Sequence, residues 1–600
     1  MRVGYIGILA ALIGFALVGC GDDENNVTPT PTRTASATNT ATASATSSPT
    51  QTASATPTVT ASATASSLPT QTPTGTPDAL IVMTDKGPVR GFRRDGARSF
   101  LGIPYAAPPV GDLRWRPPVP HAAWTGVRAV NKGGAVCPQT LPIVNLSTGN
   151  EDCLFVNVHT PDPPPSIPAP VMVWVHGGGF TVGDGLQTSG LANTGGTDGG
   201  IIARNTGVVV VSFNYRLGQF GFLAHSSLTK EDLSHPSSGN YGIEDQIAAL
   251  HWVQTNIAAF GGDPKNVTIF GESAGGMSVC AHLVSPLSQG LFQRAIIESG
   301  PCLHPLSTLV AAEAQGAVFA SLLGCDGAAD VLACMRAKSA QDIKSTLPPA
   351  ADFVFSEGQT GYWAPNLDQY IYERQIKDAF AQGAFNQAPV MVGSNKDEGT
   401  LFVAMTQDLS GTPLTADEYP DRLKYLLGSD SLVTAVAEHY PLANYATPGA
   451  ALAAAFGDGF LACPTIDIGA LVSAYVPTYL YQFEYPHAHF TLAMPVDMGA
   501  FHSAEVQFVF QRPAGLTPVP FTTAERDLSS QMMGYWTRFA TTADPNGDGA
   551  LAWPRYDDAR PHLVFDTPIT ESSDAKGEAC GFWSGLDYER PPLPRVVAVR

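Results

Sequence analysis

The stretch Phe260 to Met277, FGGDPKNVTIFGESAGGM, constrains the fold more tightly than any other, and Gly271-Glu272-Ser273-Ala274-Gly275 sits at its centre. A Gly-x-Ser-x-Gly pentapeptide recurs by chance, so its flanks carry the inference. Upstream, Asn266-Val267-Thr268-Ile269-Phe270 has the β-branched and aromatic composition of a buried strand. Downstream, Ser278-Val279-Cys280-Ala281-His282-Leu283 can continue as a helix packed closely on a sheet. Strand, sharp turn and helix lift a serine into an exposed, strained position, and glycines flank it because the turn crowds backbone segments together. The competing interpretation is a glycine-rich strand-to-helix turn with an incidental serine.

Other stretches place that turn in an alternating α/β chain. Ile81 to Val89 reads as an opening strand and turn, and Glu151 to Pro161 as an alternating strand. Pro161 to Pro170 is an exposed loop. Val171 to Val175 is continuously apolar, as in a strand buried on both faces, and leads into His176-Gly177-Gly178-Gly179-Phe180. Backbone amides on such a side-chain-free loop can approach a developing oxyanion, and losing one such donor typically costs roughly 3–4 kcal/mol of transition-state stabilisation. Val208 to Phe213 is another buried strand. Gly239 to Phe260 reads as a helix with an apolar face through Ile247, Leu250, Val253 and Ile257. Strands alternating with helices predict a mostly parallel sheet.

A serine hydroxyl needs a histidine to take its proton and a carboxylate to orient that histidine, in the chain order serine, acid, histidine for this kind of turn. The buried run Pro389 to Ser394 ends in a polar loop with two adjacent carboxylates, Asp397 and Glu398, and the residues alone do not choose between them. Downstream of Ser273 the candidate histidines are His487, His489 and His502.

Phe260-Gly261-Gly262-Asp263-Pro264 ahead of the serine turn, Glu151-Asp152-Cys153-Leu154, and His176-Gly177-Gly178-Gly179-Phe180 together resemble the signatures of the type-B carboxylesterases. These are α/β-hydrolases, a group that includes bacterial esterases and the cholinesterases, and the resemblance runs from about Asp78 to the C-terminus. It implies an α/β-hydrolase fold, with a central, mostly parallel twisted sheet flanked by helices in one catalytic domain, residues 78–600. It implies a serine carboxylesterase working through an acyl-enzyme, with Ser273, Glu398 and His502 catalytic. Glu398 takes the role as the glutamate before the glycine; His502 takes it because Met498 to Phe510 resembles the family's histidine loop. The oxyanion donors implied are Gly178, Gly179 and Ala274. Asp397 is then left a loop-structuring hydrogen bond, and no cofactor is implied.

Cysteines, charge and the first residues fill in the rest. The resemblance implies bridges Cys137–Cys153, Cys325–Cys334 and Cys463–Cys580; Cys280 and Cys302 are left either paired or free. Asp544-Pro545-Asn546-Gly547-Asp548-Gly549 opens like a calcium loop, but Arg555 stands where the bidentate glutamate belongs, so no metal is expected. A net charge of −20 excludes a nucleic-acid binder, which needs a basic face. The expected partner is a small-molecule ester. Cholinesterases carry an aromatic cation site between the first two cysteines; Pro138 to Asp152 has no aromatic residue, which speaks against choline esters. The alternatives are a lipase for longer acyl chains and a non-catalytic adhesion relative. Met1-Arg2 and apolar Val3 to Val18 read as a signal peptide, residues 1–19, and Leu17-Val18-Gly19-Cys20 resembles the lipobox of bacterial lipoproteins. Lipidated Cys20 would open a tether, residues 20–77. From Thr28 to Pro77 that tether is nearly all Thr, Ser, Ala and Pro, too poor in apolar residues to order, and as a coil it reaches about 40 Å. The expectation is an exported protein, anchored by lipid alone to the periplasmic or outer face of a bacterial cell envelope.

Overall fold

Alternate residues of one strand show how the interior is divided. Val171, Val173 and Val175 enter one hydrophobic core, and Met172 and Trp174 between them enter a second on the opposite face. A strand so covered must lie inside a sheet with helices on both sides. The computed structural model describes residues 78–586 except 142–145, 188–195, 348–362, 410, 490–493, 495 and 514–517. The expected signal peptide, Cys20 and tether lie outside the described residues.

Eleven strands form the main sheet: β1 (Phe92–Arg94), β2 (Ala97–Pro104), β3 (Phe155–Pro161), β4 (Ala169–Val175), β5 (Val209–Phe213), β6 (Gly262–Glu272), β7 (Arg294–Glu298), β8 (Val390–Asn395), β9 (Thr478–Phe483), β10 (His562–Phe565) and β11 (Thr570–Ser572). Their spatial order is β11-β10-β9-β8-β7-β6-β4-β5-β3-β2-β1. From β5 through β10 every neighbouring pair is parallel. The flanking pairs β5–β3, β3–β2, β2–β1 and β10–β11 are antiparallel. The mostly parallel sheet is therefore present, with antiparallel edges at both ends. The expected alternation in Glu151 to Pro161 is absent: Val156 to Thr160 of β3 are all buried, because the strand lies between β5 and β2.

Helix α1 (Tyr241–Asn256) lays Ile243, Ile247, Leu250 and Val253 into the first core. Helix α2 (Ala274–Val284) follows the serine turn directly. Helix α3 (Thr523–Thr542) starts with a capping box between Thr522 and Glu525 and packs Leu528, Met532, Trp536 and Phe539 into the second core. A third core gathers around Tyr419, Leu423, Phe456 and Phe460 and takes in Trp583 from α4 (Gly577–Gly585). Cys463–Cys580 fastens α4 there, and Cys137–Cys153 and Cys325–Cys334 are also bonded. Cys280 and Cys302, left open by the sequence, form a fourth bridge. Asp544 Oδ1 accepts from Asn546 N at 3.0 Å and Nδ2 at 2.8 Å, so the calcium-like stretch is a side-chain-capped turn.

In open α/β sheets, ligand sites form beyond the carboxyl ends of the strands. The glycine triplet follows β4, Ser273 follows β6, and Glu398 follows β8.

Candidate active site

Ser273 sits between β6 and α2 at φ 58° and ψ −123°. A residue other than glycine there costs about 1–3 kcal/mol and persists only where its surroundings over-determine it. The determinants are on both sides of the turn. Ser273 N donates to Glu298 O at the end of β7 (2.9 Å). The first turn of α2 presses so closely on β4 that a Cβ on Gly275 would lie 2.0 Å from Val175 O. The hydroxyl is half-buried and makes no hydrogen bond among the described residues.

The glycine loop closes over this turn. A Cβ on Gly177 would stand 3.1 Å from Ser273 Cβ and 2.6 Å from Glu272 O, so only glycine allows the loop so near the serine. Tyr215 anchors the loop's root: its hydroxyl donates to His176 O (2.9 Å), and its ring stacks on the His176 imidazole at 4.3 Å. Burial pushes His176 down to about 4, which keeps it neutral. Gly178 O accepts from both Thr181 N and Val182 N at 3.0 Å, while the amides of Gly178 and Gly179 have no acceptor among the described residues. Ala274, the first residue of α2, adds the orphan amide of a helix start.

Glu398 and His502 meet through two loops sewn together. Asp397 N donates to Ala500 O (3.0 Å), Asp397 Oδ2 accepts from Ala500 N (2.9 Å), and Asn395 Nδ2 donates to Phe501 O (2.7 Å). That frame brings His502 Nδ1 within 2.5 Å of Glu398 Oε2. Glu398 Oε1 meanwhile accepts from Asn395 N (2.7 Å) and from Ser299 Oγ (2.6 Å). Thus Glu398 bonds the histidine and Asp397 braces the loop. His487 and His489 lie elsewhere: His487 stands edge-on to Tyr485, and His489 Nε2 lies 3.3 Å from Glu525.

Three further residues complete the site. Glu272 Oε1 lies 3.1 Å from His502 Nε2, and Ser503 Oγ donates to the same oxygen at 2.5 Å. Phe402 covers the imidazole, with ring centroids 5.0 Å apart. No hydrogen bond links Ser273 Oγ to His502 in this structure; such bonds commonly tighten only in the complex with substrate. His502 thus lies between Glu398 on Nδ1 and Glu272 on Nε2, and Glu272 is the chain neighbour of Ser273.

Comparison with known proteins decides the family. The profile described as the carboxylesterase family matches residues 78–583. The chain belongs to the carboxylesterase family. The para-nitrobenzyl esterase of Bacillus subtilis (strain 168) is 36% identical over 511 residues, covering 83% of this chain and 97% of that one. The fumonisin B1 esterase of Sphingopyxis macrogoltabida is 36% identical over 507 residues, covering 82% and 87%. A solved PNB esterase structure superposes with a TM-score of 0.69 at 34% identity, covering 84% of this chain and all of that one. The α/β-hydrolase fold and carboxylic ester hydrolysis follow.

In this carboxylesterase the charge around His502 has a measurable consequence. Burial disfavours the imidazolium, but the Glu272 and Glu398 charges and the Glu398 hydrogen bond outweigh it and raise His502 to about 9. A raised histidine contributes stability that is complete below its unfolded value, near 6.5, and is lost as pH climbs through about 9. With His502 as the general base, catalysis needs its neutral ring, so kcat/KM should rise with pH along an acid limb set by His502. Glu272→Gln removes one stabilising charge, and the limb should move to lower pH by roughly one unit. A pH–rate profile of the variant checks this; an unmoved or upward-shifted limb would contradict it.

Proposed function

We propose that Ser273 is the nucleophile of this carboxylesterase, His502 its general base and acid, and Glu398 the carboxylate that orients and stabilises the imidazolium. Ser273 Oγ adds to the ester carbonyl as His502 Nε2 takes its proton. Negative charge collects on the carbonyl oxygen, where the amides of Gly178, Gly179 and Ala274 donate. The tetrahedral adduct collapses, His502 protonates the departing alcohol, and an acyl-serine remains. Water then repeats the sequence and releases the acid. The observation that carries this reading is the 2.5 Å contact of His502 Nδ1 with Glu398, with Nε2 facing Glu272, the residue next to Ser273.

The substrate is read as a small uncharged carboxylic ester. Relatives carry names such as para-nitrobenzyl esterase and fumonisin B1 esterase, and the segment between Cys137 and Cys153 lacks aromatic residues for a cation. A nitrophenyl ester series should give its highest kcat/KM at acetyl to butyryl chains; a maximum at lauroyl or longer would favour a lipase. We place the enzyme on the cell envelope through acylated Cys20, with residues 20–77 as the tether. Mass spectrometry of the native protein should find Cys20 as a lipid-modified N-terminus, and an unmodified N-terminus further along would exclude it.

A further inference from the structure

The bridge between Cys280 and Cys302 joins the two elements that deliver the nucleophile and the acid's partner. Cys280 lies in α2, the helix that begins one residue after Ser273. Cys302 lies three residues after Ser299, whose hydroxyl donates to Glu398 at 2.6 Å. Ser299 is itself held in the left-handed region, at φ 46°, with its amide on Gly393 O of β8 at 2.8 Å.

Between these elements the backbones touch with no side chains interposed. A Cβ on Gly276 of α2 would lie 2.9 Å from both Glu298 O and Gly300 Cα, and one on Gly300 would lie 2.7 Å from Gly276 C. Helix α2 is buried along nearly its whole length, which fixes its depth in the fold. A glycine-on-glycine contact, however, has no interlocking side chains to oppose sliding along the helix axis. A covalent tie beside it, with Cα atoms 6.4 Å apart, adds a restraint to the Ser273 N–Glu298 O hydrogen bond that already joins the turn to β7.

We propose that Cys280–Cys302 is a positioning bridge for ester hydrolysis, holding Ser273 in register with the Ser299–Glu398–His502 chain. The inference rests on the roles given above to Ser273 and Glu398. Both sulfurs are enclosed, at 0% and 1% residue exposure, so substitution and not added reductant is the test. The full-length enzyme would be compared with Cys280→Ala/Cys302→Ala, and with Cys325→Ala/Cys334→Ala as a control that loses a different bridge. Each protein is titrated with a fluorophosphonate, so that kcat refers to reactive serines only.

The expected result is a fall in kcat per titrated serine of about tenfold or more for the 280/302 variant, with KM nearly unchanged. The control should keep its kcat, whatever happens to its melting temperature. Wild-type kcat per titrated serine in the 280/302 variant would overturn the proposal. So would equal losses in both variants. If the alanine variant fails to fold, the space-filling Cys280→Val/Cys302→Val variant takes its place, and failure of both marks a folding requirement and also overturns it. Failure of the wild-type enzyme to label would strike the Ser273 assignment instead.

Discussion

Ser273→Ala should abolish turnover of a nitrophenyl ester, a loss of about a million-fold, while the melting temperature stays within a few degrees of wild type. The size of the effect follows from the role: without the hydroxyl no acyl-enzyme forms, and only the oxyanion donors and binding contribute. The small effect on stability follows from the site. Ser273 Oγ makes no hydrogen bond among the described residues, and the strained backbone is held by Glu298 O and by the packing of α2 on β4, neither of which involves the hydroxyl. Retained turnover would refute the assignment, and a collapsed melting temperature would give the serine a structural role instead.

Glu398→Gln should lower kcat by about ten-thousand-fold, although the replacement is nearly isosteric. Three donors converge on this carboxylate: Asn395 N and Ser299 Oγ on Oε1, and His502 Nδ1 on Oε2. An amide has only one acceptor oxygen. If that oxygen serves Asn395 and Ser299, the amide NH2 faces His502 Nδ1 and favours the tautomer protonated on Nε2. That nitrogen then has no lone pair for the serine proton. Steady-state kinetics on short acyl esters read the effect directly; a variant with most of its turnover intact would move the acid role elsewhere. Asp397→Asn is the natural comparison, because Asp397 bonds Ala500 N and not the histidine.

The parts of this site that the sequence makes legible are those whose chemistry is local. The serine turn needs a strand, two close glycines and a helix within a few residues, and all of these stand in Phe260 to Met277. The buried strands Val171 to Val175 and Val208 to Phe213 are legible because burial on both faces leaves an apolar run. Alternation misleads at Glu151 to Pro161, since the strand's place in the sheet depends on partners far along the chain. The same distance hides Ser299, Ser503 and the contact of Glu272 with His502: their partners lie 99 or more positions away. Asp397 and Glu398 are indistinguishable as adjacent carboxylates until the loop carrying Ala500 and His502 is laid beside them. With Cys20 set aside, eight cysteines remain, an even number whether or not Cys280 pairs with Cys302, and only the contact between α2 and the exit of β7 brings them together.

In the proposed mechanism one serine, activated by its surroundings, performs the reaction. Reacting the full-length enzyme with a fluorophosphonate and mapping the adduct by peptide mass spectrometry tests it most directly, because only an activated serine is phosphonylated rapidly. The expected outcome is stoichiometric modification of Ser273, loss of esterase activity in step with labelling, and no labelling of Ser273→Ala. An adduct on another serine, or full activity in the labelled enzyme, would contradict it.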